Sequence, residues 1–213
     1  MQTKDGRPFI EEINEAKRDL PEGVFKELYL ADASEDGSNP FGYSQIQQCV
    51  YPLSTLPPVC FGIDLAKSHD WTVVIGLDKS QNVCFFERWQ SDWRATTNKI
   101  IELPNVPMAI DSTGVGDPIG EDVARVKDVE LVRFTSQSKQ QMMEGLAVQI
   151  QKRSITFPEG HIKDELENFE YEYTRTGVKY SAPSGLHDDC VCALALAVRK
   201  WRSAGQGGNY SFL

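Results

Sequence analysis

Val59-Cys60-Phe61-Gly62-Ile63-Asp64-Leu65 is an apolar run of strand length carrying one carboxylate near its end, with Pro57-Pro58 just before it. A short apolar run bounded by turn residues reads as a buried β-strand. An ionised carboxylate in such surroundings is costly unless something compensates it, so Asp64 is hard to explain as structure alone. Working outward, Trp71 to Leu77 and Asn82 to Arg88 read as two further strands, joined by the turn residues Asp78-Lys79-Ser80-Gln81. Three consecutive strands with short turns pair antiparallel. A helix around Thr96 to Leu103 leads to a fourth strand, Val106 to Ile110, and this longer crossover permits parallel pairing. A helix near Ile119 to Val126, a strand at Glu130 to Phe134, a helix from Lys139 to Gln151 and a small-residue helix from Asp188 to Trp201 follow. The pattern predicts an α/β fold: a mixed sheet of five or more strands, the first three antiparallel, with helices on both faces.

Residues 1–58 differ in character. They suggest helices around Ile10 to Leu20 and Val24 to Ala33, then the loop chemistry of Glu35-Asp36-Gly37-Ser38-Asn39-Pro40. We read 1–58 as an accessory segment and 59–213 as the main domain. The 213 residues suit one α/β domain plus an extension, single domains commonly holding ~100–200 residues. No apolar run approaches the ~20 residues of a membrane helix, and the start lacks a signal-type stretch. A cytosolic setting without membrane contact is expected. The five cysteines are an odd number, four of them inside apolar runs, which suits reduced core thiols. Cys190 and Cys192 are too close for usual zinc spacing and have no second pair.

A net charge of −9 argues by itself against nucleic acid. More than half of it, −5, belongs to residues 1–58, which hold 10 acids and 5 bases. Several remaining acids fall where metal ligands would. Asp111 ends the run Met108-Ala109-Ile110-Asp111, as Asp64 nearly ends its own. If the first and fourth strands are neighbours, ~4.8 Å apart, both carboxylates can reach one cation. His187-Asp188-Asp189 opens the helix of small residues, whose first turn would set an aspartate over the strand ends. Oxygen-only ligands favour Mg²⁺ or Mn²⁺, and two such ions can cleave a phosphodiester. Asp70 could bind a second ion, while His69 and His187 could contact phosphate or assist proton transfer. Structural alternatives exist: Asp188 or Asp189 could cap the helix, and Asp111 could begin the Asp111-Ser112-Thr113-Gly114 turn.

Several segments together resemble the nuclease domain of phage terminase large subunits, members of the ribonuclease H-like superfamily. They are Phe61-Gly62-Ile63-Asp64 with Asp70 downstream, Ala109-Ile110-Asp111-Ser112-Thr113-Gly114-Val115-Gly116-Asp117, Ser138-Lys139 before a helix running to Ile155-Thr156-Phe157-Pro158, and Ser184-Gly185-Leu186-His187-Asp188-Asp189. The resemblance covers residues 59–202, and Leu20 to Leu30 is similar to the family's link between ATPase and nuclease. It implies a ribonuclease H-like fold and two-metal cleavage of concatemeric double-stranded viral DNA with little sequence preference, in the infected host cytoplasm. It further implies that Asp64, Asp111 and Asp189 are catalytic metal ligands, with Asp188 close behind. In a full-length protein an ATPase domain, a portal ring and a small terminase subunit would be partners. Related Holliday-junction resolvases carry a further acid where this chain has Cys192.

Nowhere does Gly-x-x-x-x-Gly-Lys-Ser/Thr occur, so no ATPase activity is expected of these residues. Tyr171 to Tyr180 reads as a hairpin with Arg175 and Lys179 near its turn, a candidate DNA contact together with Lys67 and Lys139. Three rival readings stand beside the terminase nuclease. One is a junction resolvase; another is an actin-like ATPase, disfavoured by Ala66-Lys67-Ser68-His69 after the first strand. The third is a non-catalytic module that docks DNA or a portal.

Overall fold

The structure, a computed structural model, describes residues 9–20, 25, 29–30, 37–65, 71–113, 117–174 and 177–207. Its elements are α1 (Phe9–Asp19), α2 (Tyr43–Gln48), β1 (Cys60–Asp64), β2 (Thr72–Leu77), β3 (Val83–Trp89), α3 (Trp93–Glu102), β4 (Met108–Asp111), α4 (Asp117–Ala124) and β5 (Val129–Val132). Then come α5 (Ser136–Gln151), α6 (His161–Asn168), β6 (Glu170–Thr174), β7 (Gly177–Ser181) and α7 (Asp189–Gly207). The central sheet has the order β3-β2-β1-β4-β5. β1–β2 and β2–β3 pair antiparallel and β1–β4 parallel, as the turn and crossover lengths predict, and β5 joins the edge parallel to β4. The β6–β7 hairpin forms a separate two-stranded sheet and does not extend the central one.

Strand parity sorts the side chains into two layers. Cys60, Val73, Ile75, Ala109 and Val132 face one core, shared with α2, α5, α6 and α7. Phe61, Ile63, Val74, Met108 and Ile110 face the other, covered by Ile100 of α3 and by Ile119 and Val123 of α4. Alternation along a strand therefore puts Asp64, two residues beyond Gly62, and Asp111, two beyond Ala109, on the α7 face. Helix α7 lies very close to β1: a Cβ on Gly62 would collide with the backbone of Ala193 and Ala197. Every residue from Cys190 to Val198 is buried, so small side chains are what this approach demands.

Two elements depart from the sequence reading. Helix α2 belongs to a segment whose Phe41, Ile46 and Cys49 are fully buried in the α7-side core. The Asn39 side chain donates to the carbonyls of Leu166, Glu167 and Phe169 at 2.8, 3.0 and 3.2 Å. Residues 39–50 thus share the core of the main domain, although their sequence resembles that of the accessory stretch. Helix α6 was also not foreseen; its apolar pair Ile162 and Leu166, one helical turn apart, is the signal that marks it. The helix expected from Val24 to Ala33 lies largely outside the described residues.

Candidate functional site

Asp64 ends β1 and Asp111 ends β4, and Ile63 sits in register with Ile110, so the two aspartates follow side by side on neighbouring parallel strands. Both are buried, at 8% and 5% exposure. The Thr113 N–H donates to Asp111 Oδ1 at 2.8 Å, and the Phe134 N–H donates to Thr113 Oγ1 at 2.7 Å. One oxygen of Asp111 therefore forms the turn that its sequence suggested, while the same residue stands beside Asp64. That turn ties the end of β4 to the chain just beyond β5.

Asp189 is the first residue of α7. The capping role open to it or to Asp188 is filled in part by a residue from another element: the Cys190 N–H donates to Glu165 Oε2 of α6 at 2.7 Å. Asp188 is held by Lys139, whose Nζ donates to Asp188 Oδ2 at 2.8 Å. Helix α5 starts at Ser136, capped by Thr135, so Lys139 lies at its first turn, three residues inside the start. Burial alone would depress the Lys139 ammonium, but the neighbouring Cys192, Asp188 and Asp64 raise it above its ordinary value. His187 Nδ1 lies 3.6 Å from Asp189 Oδ2, with the imidazole half exposed.

These acids act on one another. Burial first, then the charges of Asp111, Asp189 and Asp188, hold the Asp64 carboxyl well above the usual carboxylate range, with Lys139 opposing them. Among the described residues no three His, Cys, Asp or Glu side chains are gathered into a finished metal-binding set. The donor chemistry nonetheless fits a hard divalent cation. It is oxygen-only, it comes from three elements on one face, and it carries a repulsion that a cation would relieve. Cys192 lies beside this cluster, its thiol held well up by burial and then by Asp188 and Asp64.

Lys179 sits exposed on β7 opposite Glu172. The hairpin docks on α5 through Val178 N–H to Gln140 Oε1, at 3.4 Å, next to Lys139. A groove of about 750 Å³ runs between them, lined by Gln137, Gln140, Thr174 and Lys179. Lys67, His69, Asp70 and Arg175 lie outside the described residues. The contribution of Glu165 was invisible in the sequence, because its partner is 25 positions away.

No protein-family model matches the chain, and no curated protein matches it significantly. Solved structures do. The chain is similar to the large terminase nuclease of thermophilic phage G20c, with 25% identity, a TM-score of 0.65, and coverage of 76% of this chain and 98% of that one. The same nuclease with bound magnesium gives 26% identity, a TM-score of 0.62, and coverage of 74% and 96%; it has also been solved with cobalt and with zinc. The large terminase of bacteriophage HK97 matches in fold, at 16% identity and a TM-score of 0.55 over 92% of this chain, which spans 51% of that larger protein. The resemblance drawn from the motifs therefore holds in three dimensions.

Proposed function

We propose, with the likeness to phage large-terminase nucleases as premise, that this chain is a metal-dependent endonuclease that cuts concatemeric double-stranded viral DNA during genome packaging, in the host cytoplasm and with low sequence preference. The observation that supports it most is the side-by-side placement of Asp64 and Asp111 at the ends of the neighbouring parallel strands β1 and β4, with Asp189 opening α7 close enough for its charge to act on Asp64. Asp64 and Asp111 would hold a first Mg²⁺ or Mn²⁺, with Asp189 as third ligand. Asp188 and Asp70 are further candidates for a second ion. Bound ions of this kind polarise a phosphate and supply a nucleophilic water at neutral pH.

The chain's own groups prepare that site. Thr113 fixes one oxygen of Asp111, Glu165 secures the start of α7, and Lys139 holds Asp188. His187, whose Nδ1 lies 3.6 Å from Asp189 Oδ2, would take up or return a proton at its imidazole. Lys179 would hold a backbone phosphate along the groove beside α5, and Arg175 and Lys67 are further candidates for DNA contact. Residues 59–213 would form the nuclease and the preceding segment would connect it to an ATPase domain, with the portal ring and small subunit as partners of the whole motor.

The test is conversion of supercoiled plasmid by the purified chain with Mn²⁺, Mg²⁺ or EDTA, beside Asp64→Asn and Asp189→Asn. Cutting that requires metal and is lost in both variants is expected. Cutting retained in Asp64→Asn would overturn the assignment, and a folded wild-type chain inert with every metal would turn the reading toward a docking module.

A further inference from the structure

The register of the sheet places a cation in the same row as the acids. Arg88 of β3 pairs with Val73 of β2, Val73 with Asp64 of β1, and Asp111 of β4 with Val132 of β5. Directly paired residues present their side chains to the same face, so Arg88, Val73, Asp64, Asp111 and Val132 form one row beneath α7. Two strand spacings, roughly 10 Å, separate Arg88 from Asp64.

Three features set this arginine apart. Its guanidinium lies over the Trp71 ring, with Cζ 4.2 Å from the centroid, a cation–π contact that restrains the side chain. Its Nε is out of contact with solvent and has no hydrogen-bond partner. Among the described residues no carboxylate forms an ion pair with it, although its charge reaches Cys190 in the first turn of α7. A buried N–H left without an acceptor is costly, and a bound phosphate oxygen would supply one. Lys139, by contrast, is already engaged by Asp188.

We infer that Arg88 is a phosphate-binding residue of this site, its guanidinium held over Trp71 to take a DNA backbone phosphate flanking the one that is cut. The planar fork of arginine matches a phosphate's oxygens in a way a lysine ammonium does not. The inference rests on the nuclease reading for the identity of the substrate, and its binding arm can be measured without cleavage.

Duplex binding is measured in metal-free buffer over a range of salt concentrations, and plasmid cutting with Mn²⁺ is measured in parallel, for the wild type, Arg88→Gln and Arg88→Lys, with thermal melts on each. Arg88→Gln should reduce the slope of log affinity against log salt by about 0.9, the value of one phosphate contact. Its KM should rise on the order of tenfold, as for loss of a charged hydrogen bond, with kcat little changed. Arg88→Lys should keep the slope and still show a raised KM. A structural stack alone would lower the melting temperature and leave both slope and KM in place, and that result overturns the inference. Should Arg88→Gln fail to fold, an unchanged KM in Arg88→Lys overturns it equally. If the wild type does not cut, the nuclease reading is what fails, and the metal-free salt slope still decides the role of Arg88.

Discussion

At the residue scale, Asp64 joins sequence to chemistry most directly. An aspartate in an apolar strand is legible without a structure, because burying an ionised carboxylate is so costly. Asp111 and Asp189 stand out as candidates on related grounds, each adjoining an apolar run. The surroundings of Arg88 and Glu165 do not show in the sequence, since they depend on neighbours that only the sheet register and helix packing bring close. The raised Asp64 carboxyl makes a prediction about the metal-free protein. The unfolded chain gives up this proton near the ordinary value of 3.8, while the folded chain keeps it to higher pH. Between those two values the folded state binds more protons, so the contribution of Asp64 to stability falls as pH rises through that window. Asp64→Asn removes the charge and should melt above the wild type at neutral pH in EDTA, by about 2–4 °C for each kcal/mol of repulsion removed. Added Mg²⁺ or Mn²⁺ should raise the wild-type melting temperature and leave that of Asp64→Asn in place. A variant that melts no higher than the wild type in EDTA would show that Asp64 is not under repulsion.

At the scale of elements, strand runs and the small-residue helix were readable from periodicity, and the antiparallel-then-parallel pairing from connection lengths. Boundaries differ by a few residues because caps and bulges settle them locally; the β2–β3 ladder shifts register at Gly76/Leu77 of β2, for example. Helix α6 is short, with eight residues, and so carries little periodic signal, yet it supplies the acid that receives the Cys190 N–H. Glu165→Ala should cost about 1–2 kcal/mol, the scale of a lost N-terminal cap. It should also lower cutting more than it lowers DNA binding, because Asp189 sits in the same turn; equal losses in both would point to general unfolding. The contact of β1 with α7 is more demanding. Gly62→Ala puts a methyl group against the backbone of Ala193 and Ala197, which cannot swing aside as a flexible side chain could. Overpacking of this kind costs about 1–3 kcal/mol, so the melting temperature should fall by roughly 2–12 °C. The same shift of α7 would move Asp189 away from Asp64, and metal-dependent cutting should weaken with it. A Gly62→Ala protein with wild-type melting would show that helix and strand are not in the close contact described.

For the whole molecule, the question is where the independently folding unit begins. Acidity and loop residues set 1–58 apart in the sequence, and Pro57-Pro58 offers an obvious boundary. Packing gives a different physical weight to residues 39–50. Phe41 and Ile46 are fully buried, and Phe41 stacks on Phe169 with ring centroids 5.6 Å apart. Two parallel bridges, Val50 to Phe157 and Asn82 to Thr156, join this segment and the β3 edge to the chain between α5 and α6. Ser54 Oγ donates to Asp78 Oδ2 at 2.6 Å, anchoring the next stretch to the β2–β3 turn. Fully burying a large apolar side chain is worth ~1.5–3 kcal/mol, so Phe41 and Ile46 together with the Asn39 hydrogen bonds amount to roughly 5–8 kcal/mol. A domain of this kind is stable by only ~5–15 kcal/mol in total. A chain beginning at residue 38 should therefore unfold in one cooperative transition, somewhat below the full chain. One beginning at residue 59 should lose most of its stability and expose the cavity left by Phe41 to apolar dyes. Calorimetry with a dye-binding assay on both truncations checks this, and a cooperative, dye-silent 59–213 would show that the core closes without the segment.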